Sequence, residues 1–106
     1  MQIEGIEILC DEDIQVVMVQ IFSRVSDELA FGFSAIPLFK ETLNEDVAFF
    51  KKGFKLQGIV AARLYIVGLL LGSHRSQKEI AKQCNVCSGT LKKYYKKLKQ
   101  EGLGAI

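Results

Sequence analysis

At 106 residues, 49% of them hydrophobic and 25% charged, the chain has the material for one small core and too much of it for a disordered or low-complexity polymer. Its net charge of +2 hides a segregation: residues 1–50 carry ten acids against Arg24 and Lys40, whereas residues 73–106 carry eight bases against Glu79 and Glu101. That lopsidedness suits one end of the chain to a polyanion.

The opening MQIEGIEILCDED is acidic and lacks the basic start and long apolar run of a signal peptide, so the expected location is the cytoplasm. That means the cytosol in an archaeon or bacterium and the nucleus in a eukaryote. The one membrane-like stretch, 56–72, contains Gln57 and Arg63 and falls short of the ~20 apolar residues that a spanning helix needs, which argues against a membrane. Cys10, Cys84 and Cys87 cannot all pair within one chain and read as reduced thiols.

With one proline and apolar residues spaced by three and four, the pattern predicts an all-α fold of five helices. Residues 1–10 form an N-terminal extension and 11–101 the domain, with a helix-turn-helix over 76–100. The first helix starts near Asp11 or Asp13, whose carboxylates suit a positive helix end, and runs to about Leu29 with Ile14, Val17, Met18, Ile21, Phe22 and Val25 on one face. The second begins around 34–37, carries Ile36, Phe39, Leu43, Val47 and Phe50, and stops before Gly53, with Asn44-Glu45-Asp46 as a possible break. The third, 57–71, is apolar nearly all round and belongs at the centre of a bundle, where Gly58, Ala61, Ala62 and Gly68 let neighbours approach.

The fourth helix starts at Ser76, which with Glu79 spells a capping box, and ends near Cys84. The fifth runs from an N-cap at Ser88 to about Glu101, stopped by Gly102. Between them Asn85 falls where a turn needs positive φ, Val86 plugs the corner, and small Ala81 allows a close crossing. Projected at 100° per residue, Leu91, Tyr94, Tyr95 and Leu98 share one side of the last helix, and Gly89, Lys92, Lys93, Lys96 and Lys99 the other. Laid in a major groove, such a helix brings Ser88, Gly89, Lys92 and Lys93 nearest base edges. Lys96, Lys97, Lys99, Lys78, Lys82 and Arg75 are placed for phosphates. Lysine-rich faces also occur as merely solvated surface; here turn chemistry, face segregation and charge segregation coincide and favour double-stranded DNA.

The stretch from Gly58 to Lys99 resembles the end of a cyclin-like core repeat of transcription factor IIB and its archaeal counterpart, most closely the second, C-terminal repeat. The residues that carry it are Gly58-Ile59, Ala61-Ala62, Leu64-Tyr65-Ile66, Gly72, Ser76-Gln77, Glu79-Ile80-Ala81, Val86, Thr90-Leu91-Lys92, and Tyr95-Lys96 with Leu98. The resemblance implies a five-helix cyclin fold and a role in transcription initiation or its regulation at promoter DNA. It implies the TATA-binding protein and RNA polymerase as further partners. Carried across, it makes Gly89 and Lys92 base-contacting positions, with Lys93 and Lys96 nearby. Three differences stand out. Gly89 replaces a larger side chain, Arg63 interrupts an alanine-rich centre, and the family's zinc ribbon, polymerase-engaging linker and first repeat are not in this sequence, so the chain alone is not expected to act as a complete initiation factor.

Rival readings are a cyclin-like protein-interaction module that does not bind DNA, and a helix-turn-helix repressor whose segment 1–10, with Ile3, Ile6 and Ile8, pairs between two copies. Cys84-Asn-Val-Cys87 has metal-ligand spacing, but a single C-x-x-C on a helix end and a turn is not read as a site, and no metal or cofactor is expected. His74 lies in a polar loop without a nucleophile beside it, and the carboxylates are dispersed, so no catalytic residues are assigned and an enzyme is not expected.

Overall fold

A computed structural model describes residues 2, 3, 6, 7 and 10–100 of the chain. Two short strands, β1 (Gln2–Ile3) and β2 (Ile6–Glu7), pair antiparallel in the register Gln2 with Glu7 and Ile3 with Ile6. Ile3 and Ile6 face each other in this intrachain pair; Ile8 lies outside the described residues. Six helices follow: α1 (Asp11–Glu28), α2 (Ala35–Glu41), α3 (Leu43–Lys51), α4 (Leu56–Leu71), α5 (Gln77–Gln83) and α6 (Ser88–Gln100). The fold is the expected all-α one. Among the described residues no helix is long and apolar enough to cross a membrane.

The sixth helix arises because the second predicted one divides. The break falls at Thr42, not at Asn44-Glu45-Asp46: Thr42 sits at φ −111°, ψ 10°, and its hydroxyl donates to the Phe39 carbonyl, competing with the helical ladder. Asp46 lies inside α3, with its own N–H on the Thr42 carbonyl. At the start of α1 the cap position is Cys10, one residue ahead of the predicted Asp11; its N–H donates to the Asp13 carboxylate at 3.1 Å, while Asp11, Glu12 and Asp13 fill the positive first turn.

Helix α4 is the axis of the molecule and packs against all five other helices. Its sequence dictates this, since a helix apolar on every side is stable only when wrapped: Ile59, Val60, Ala61, Ala62, Leu64, Ile66 and Val67 are all buried. Each large aliphatic side chain so covered contributes about 1.5–3 kcal/mol. Around it Phe22 of α1 stacks on Phe39 of α2 with centroids 4.2 Å apart, and Phe49, Phe54 and Tyr94 form a second aromatic run.

Two glycines in α4 set the approach of its neighbours. A Cβ on Gly68 would come 2.9 Å from the Phe31 ring, and a Cβ on Gly58 would lie 2.5 Å from Cε2 of Tyr94 and 3.1 Å from Cγ2 of Thr90. The Tyr94 ring cannot swing aside freely, because it is buried and its hydroxyl accepts a 2.9 Å hydrogen bond from the Lys55 N–H. Gly58→Ala therefore sets a helix-propensity gain of up to ~1 kcal/mol against overpacking of about 1–3 kcal/mol. Net destabilisation is expected, read as a lower denaturant midpoint.

Arg63, buried in the middle of α4, is matched by Asp46 of α3. Its Nε and Nη2 donate to the two carboxylate oxygens at 3.1 and 2.7 Å, a forked pair sealed from water on both sides. The surface pair Lys51–Asp11, at 3.1 Å and more than half exposed, ties α3 to the start of α1 and contributes little.

Candidate nucleic-acid interface

The segment after α4 leaves the core through Gly72, whose φ of 71° caps α4 in a left-handed conformation. Ser76 opens α5, its hydroxyl accepting the Glu79 N–H at 3.1 Å. The chain then turns through Cys84 and Asn85. Asn85 adopts φ 60°, the positive value expected of it, and this lets the Val86 N–H return to the Ala81 carbonyl at 2.9 Å. Val86 packs against the core beneath the corner, and Ala81 is buried at the crossing. Ser88 is already helical, so the cap position belongs to Cys87, whose carbonyl accepts from Thr90 and Leu91. Its thiol stands 3.0 Å from the Thr90 hydroxyl.

Helix α6 is divided lengthwise. Leu91, Tyr94 and Leu98 are buried against α4, whereas Lys92, Lys93, Lys96, Lys97 and Lys99 are exposed. Among the described residues no carboxylate pairs with Lys78, Lys82, Lys92, Lys93, Lys96, Lys97 or Lys99. Two open depressions mark this face. One, of about 390 Å3, is lined by Gly89, Lys92, Lys93, Lys96, Lys97 and Gln100. The other, of about 480 Å3, is lined by Tyr65, His74, Ser76, Gln77, Lys78, Ser88, Gly89 and Lys92. They meet at Gly89 and Lys92, so the start of α5 and the start of α6 share one continuous basic surface. The helix is roughly 20 Å long and, with its side chains, 10–12 Å across, dimensions that a major groove about 12 Å wide admits.

Most of the residues singled out from the sequence fall on this surface. Ser88, Gly89, Lys92, Lys93 and Lys96 border the depressions together with Lys78, and Lys82 is exposed in the last turn of α5. Lys99 is held differently, its ammonium 5.8 Å above the Tyr95 ring. Arg75 departs from the expectation. Its Nε and Nη2 both donate to the Leu29 carbonyl, at 3.3 and 2.9 Å, so its guanidinium closes the C-terminal end of α1 instead of joining the lysines. An aromatic run that periodicity did not single out lies beside the site. His74 meets Tyr65 edge-on at 5.7 Å, and Tyr65 meets Tyr95 edge-on at 5.0 Å, which bridges α4 to α6.

The two C-x-x-C thiols have opposite surroundings. Cys84 is buried and its thiol is pushed up to about 12 by burial, whereas Cys87 is exposed and the Thr90 hydroxyl holds its thiol below the ordinary range. Among the described residues no three histidine, cysteine or acidic side chains gather as metal ligands would.

Comparison with known proteins bears on the same part of the chain. The model of the family described as the transcription factor TFIIB repeat matches residues 23–101, from the second half of α1 to just past the end of α6. No solved structure matches the chain.

Proposed function

Since the chain belongs to the transcription factor TFIIB repeat family, a family of transcription factors and not of enzymes, we propose that it is a DNA-binding domain acting in transcription initiation or its regulation. In this reading residues 11–101 are the domain and the helix-turn-helix over 76–100 is its working part. Helix α6 enters the major groove of duplex promoter DNA with Ser88, Gly89, Lys92 and Lys93 foremost. Lys96, Lys97, Lys99, Lys78 and Lys82 take the flanking phosphates. The TATA-binding protein and RNA polymerase are the protein partners that membership of the family suggests. The location that fits is the cytosol of an archaeon or bacterium, or the nucleus of a eukaryote.

One observation carries the proposal. The lysines of α6 stand in solvent opposite the seam of Leu91, Tyr94 and Leu98, without carboxylate partners among the described residues. An ammonium group with no partner in its own fold keeps its full attraction for phosphate, and binding releases the counterions condensed on the duplex. Titrating labelled duplex DNA at about 50 and 200 mM salt tests it. The expected result is binding that weakens by tenfold or more at the higher salt; absent or salt-insensitive binding rejects the proposal.

A second reading has one observation in its favour. An open, largely apolar depression of about 560 Å3 runs between α1, α2 and α3, lined by Val16, Val19 and Leu43 with Glu12, Gln15, Gln20 and Lys40 at its edges. Val16 is 49% exposed there, as a protein-docking surface would have it. Recovery of the TATA-binding protein or polymerase in the absence of DNA would favour this reading.

A further inference from the structure

The basic surface contains one group whose charge is set by the surrounding solution. His74, the single histidine of the chain, is exposed in the loop between α4 and α5 and lines the same depression as Ser76, Lys78, Ser88 and Lys92. It is held there from two directions. Arg75, the next residue, is anchored on the Leu29 carbonyl by two donors at 3.3 and 2.9 Å, which fixes the loop. The imidazole stands edge-on to Tyr65 at 5.7 Å, and Tyr65 is braced in turn by Tyr95 at 5.0 Å.

The surroundings of the ring suit an anion. Lys78 and Lys92 share the depression with it, and no carboxylate lines it; Glu79, the one acid of α5, is not among the lining residues. The titratable and charged groups about the ring are Tyr65 of α4, Arg75 in the loop, Lys78 of α5, and Lys92 and Tyr95 of α6. Of these side-chain types only imidazole ordinarily changes its charge between pH 5 and 8. Protonated, it becomes a third cation beside the two lysines, with an N–H donor on each ring nitrogen. A phosphate brought against the ring favours that charged form, so binding and proton uptake are linked.

We propose that His74 is a phosphate contact of this domain and that its protonation couples the grip on duplex DNA to pH. The inference rests on the DNA-binding reading above and adds to it a residue outside both helices of the helix-turn-helix. Arg75, a phosphate ligand by its sequence position, serves instead as the fixed point of the loop that presents its neighbour.

The test uses the full chain and a labelled duplex, titrated over a range of salt at about pH 5.5 and about pH 7.5, on either side of the ordinary imidazole range. Wild type is expected to bind about three- to tenfold tighter at the lower pH, the upper figure matching a one-unit rise in the proton affinity of the contact on binding. Its slope of log affinity against log salt should be steeper there by up to ~0.9, the contribution of one neutralised phosphate. His74→Gln is expected to bind at the lower pH as wild type does at the higher. His74→Arg, charged throughout, is expected to bind at the higher pH about as tightly as wild type does at the lower. Asp46 in the core and Cys87, whose thiol lies below its ordinary range, bear on the same interval. Both are present in all three proteins, so the comparison isolates the imidazole. Wild-type affinity that does not change with pH overturns the inference and leaves DNA binding intact. So does a pH dependence that His74→Gln retains, or an equal loss at both pH values in that variant, which would mean that the ring only packs against Tyr65. No binding to duplex at low salt at either pH overturns the DNA-binding reading, and this inference with it.

Discussion

Replacing Lys92, Lys93 and Lys96 together with glutamate is expected to weaken duplex binding at least a hundredfold while leaving the helical content and the denaturant midpoint nearly unchanged. The separation of the two effects follows from the geometry of α6. All three ammonium groups are exposed and line the open depression on its outer side, whereas the contacts that hold the helix are made by Leu91, Tyr94 and Leu98 on the inner side. Lysine and glutamate have nearly equal helix propensities, so the substitution costs the helix little. The electrostatic change is large by comparison: three attractions for phosphate become three repulsions, on a protein whose net charge is only +2. Neutral replacement by alanine gives the finer measurement. Each lysine that neutralises one phosphate contributes close to one unit to the slope of log affinity against log salt, so the triple alanine variant should lose about three units of slope. Lys40→Glu, on α2 beside the apolar depression of α1, alters net charge away from this face and is expected to change affinity less than threefold. If the triple glutamate variant binds as wild type does, α6 is not the contact surface.

Much of this architecture is legible in the residues because the signals are local. Fifteen of the sixteen residues of α4 lie within the predicted third helix, since an all-apolar helix has one physical destination, the centre of a bundle. Asn85 behaves as read, and Ser76 forms the hydroxyl half of its capping box without the returning Glu79 carboxylate, because positive φ and hydroxyl capping depend on only a few neighbouring atoms. The expectations that failed depend on competition or distance. Thr42 breaks the second helix in place of Asn44-Glu45-Asp46 because its hydroxyl competes for the Phe39 carbonyl, while Asp46 spends its carboxylate on a partner seventeen residues away and stays inside α3. Arg75 looks, in sequence, like one more cation beside a lysine-rich helix, and only the folded chain brings the Leu29 carbonyl to it across forty-six residues. The Tyr65, His74 and Tyr95 run likewise spans α4, the loop and α6, so neither the helical period nor the spacing of those residues announces it.

Arg63→Met is expected to destabilise the fold by about 3–5 kcal/mol, a large part of the ~5–15 kcal/mol available to a domain, whereas Asp46→Leu combined with Arg63→Met should be neutral or stabilising by about 1–4 kcal/mol. In the single variant the Asp46 carboxylate stays buried in the interior with no cation beside it. In the double variant both charges are gone and two apolar side chains fill their places among α3 and α4. The state of Asp46 in the native protein indicates which cost dominates. Burial drives its carboxyl from 3.8 up to about 6, aided by the neighbouring Glu45, and the hydrogen bonds and charge of Arg63 offset only part of that rise. A carboxyl whose pKa is higher folded than unfolded contributes stability that is fully present below 3.8 and is lost as pH rises through about 6. The double variant has no such group, so its stability advantage over wild type should widen between about pH 4 and pH 7. Denaturant midpoints of the two proteins at those pH values measure the difference directly. An advantage that narrows over this interval would mean that the attraction of Arg63 outweighs the desolvation of Asp46, and that the pair holds α3 to α4 more strongly than apolar packing would.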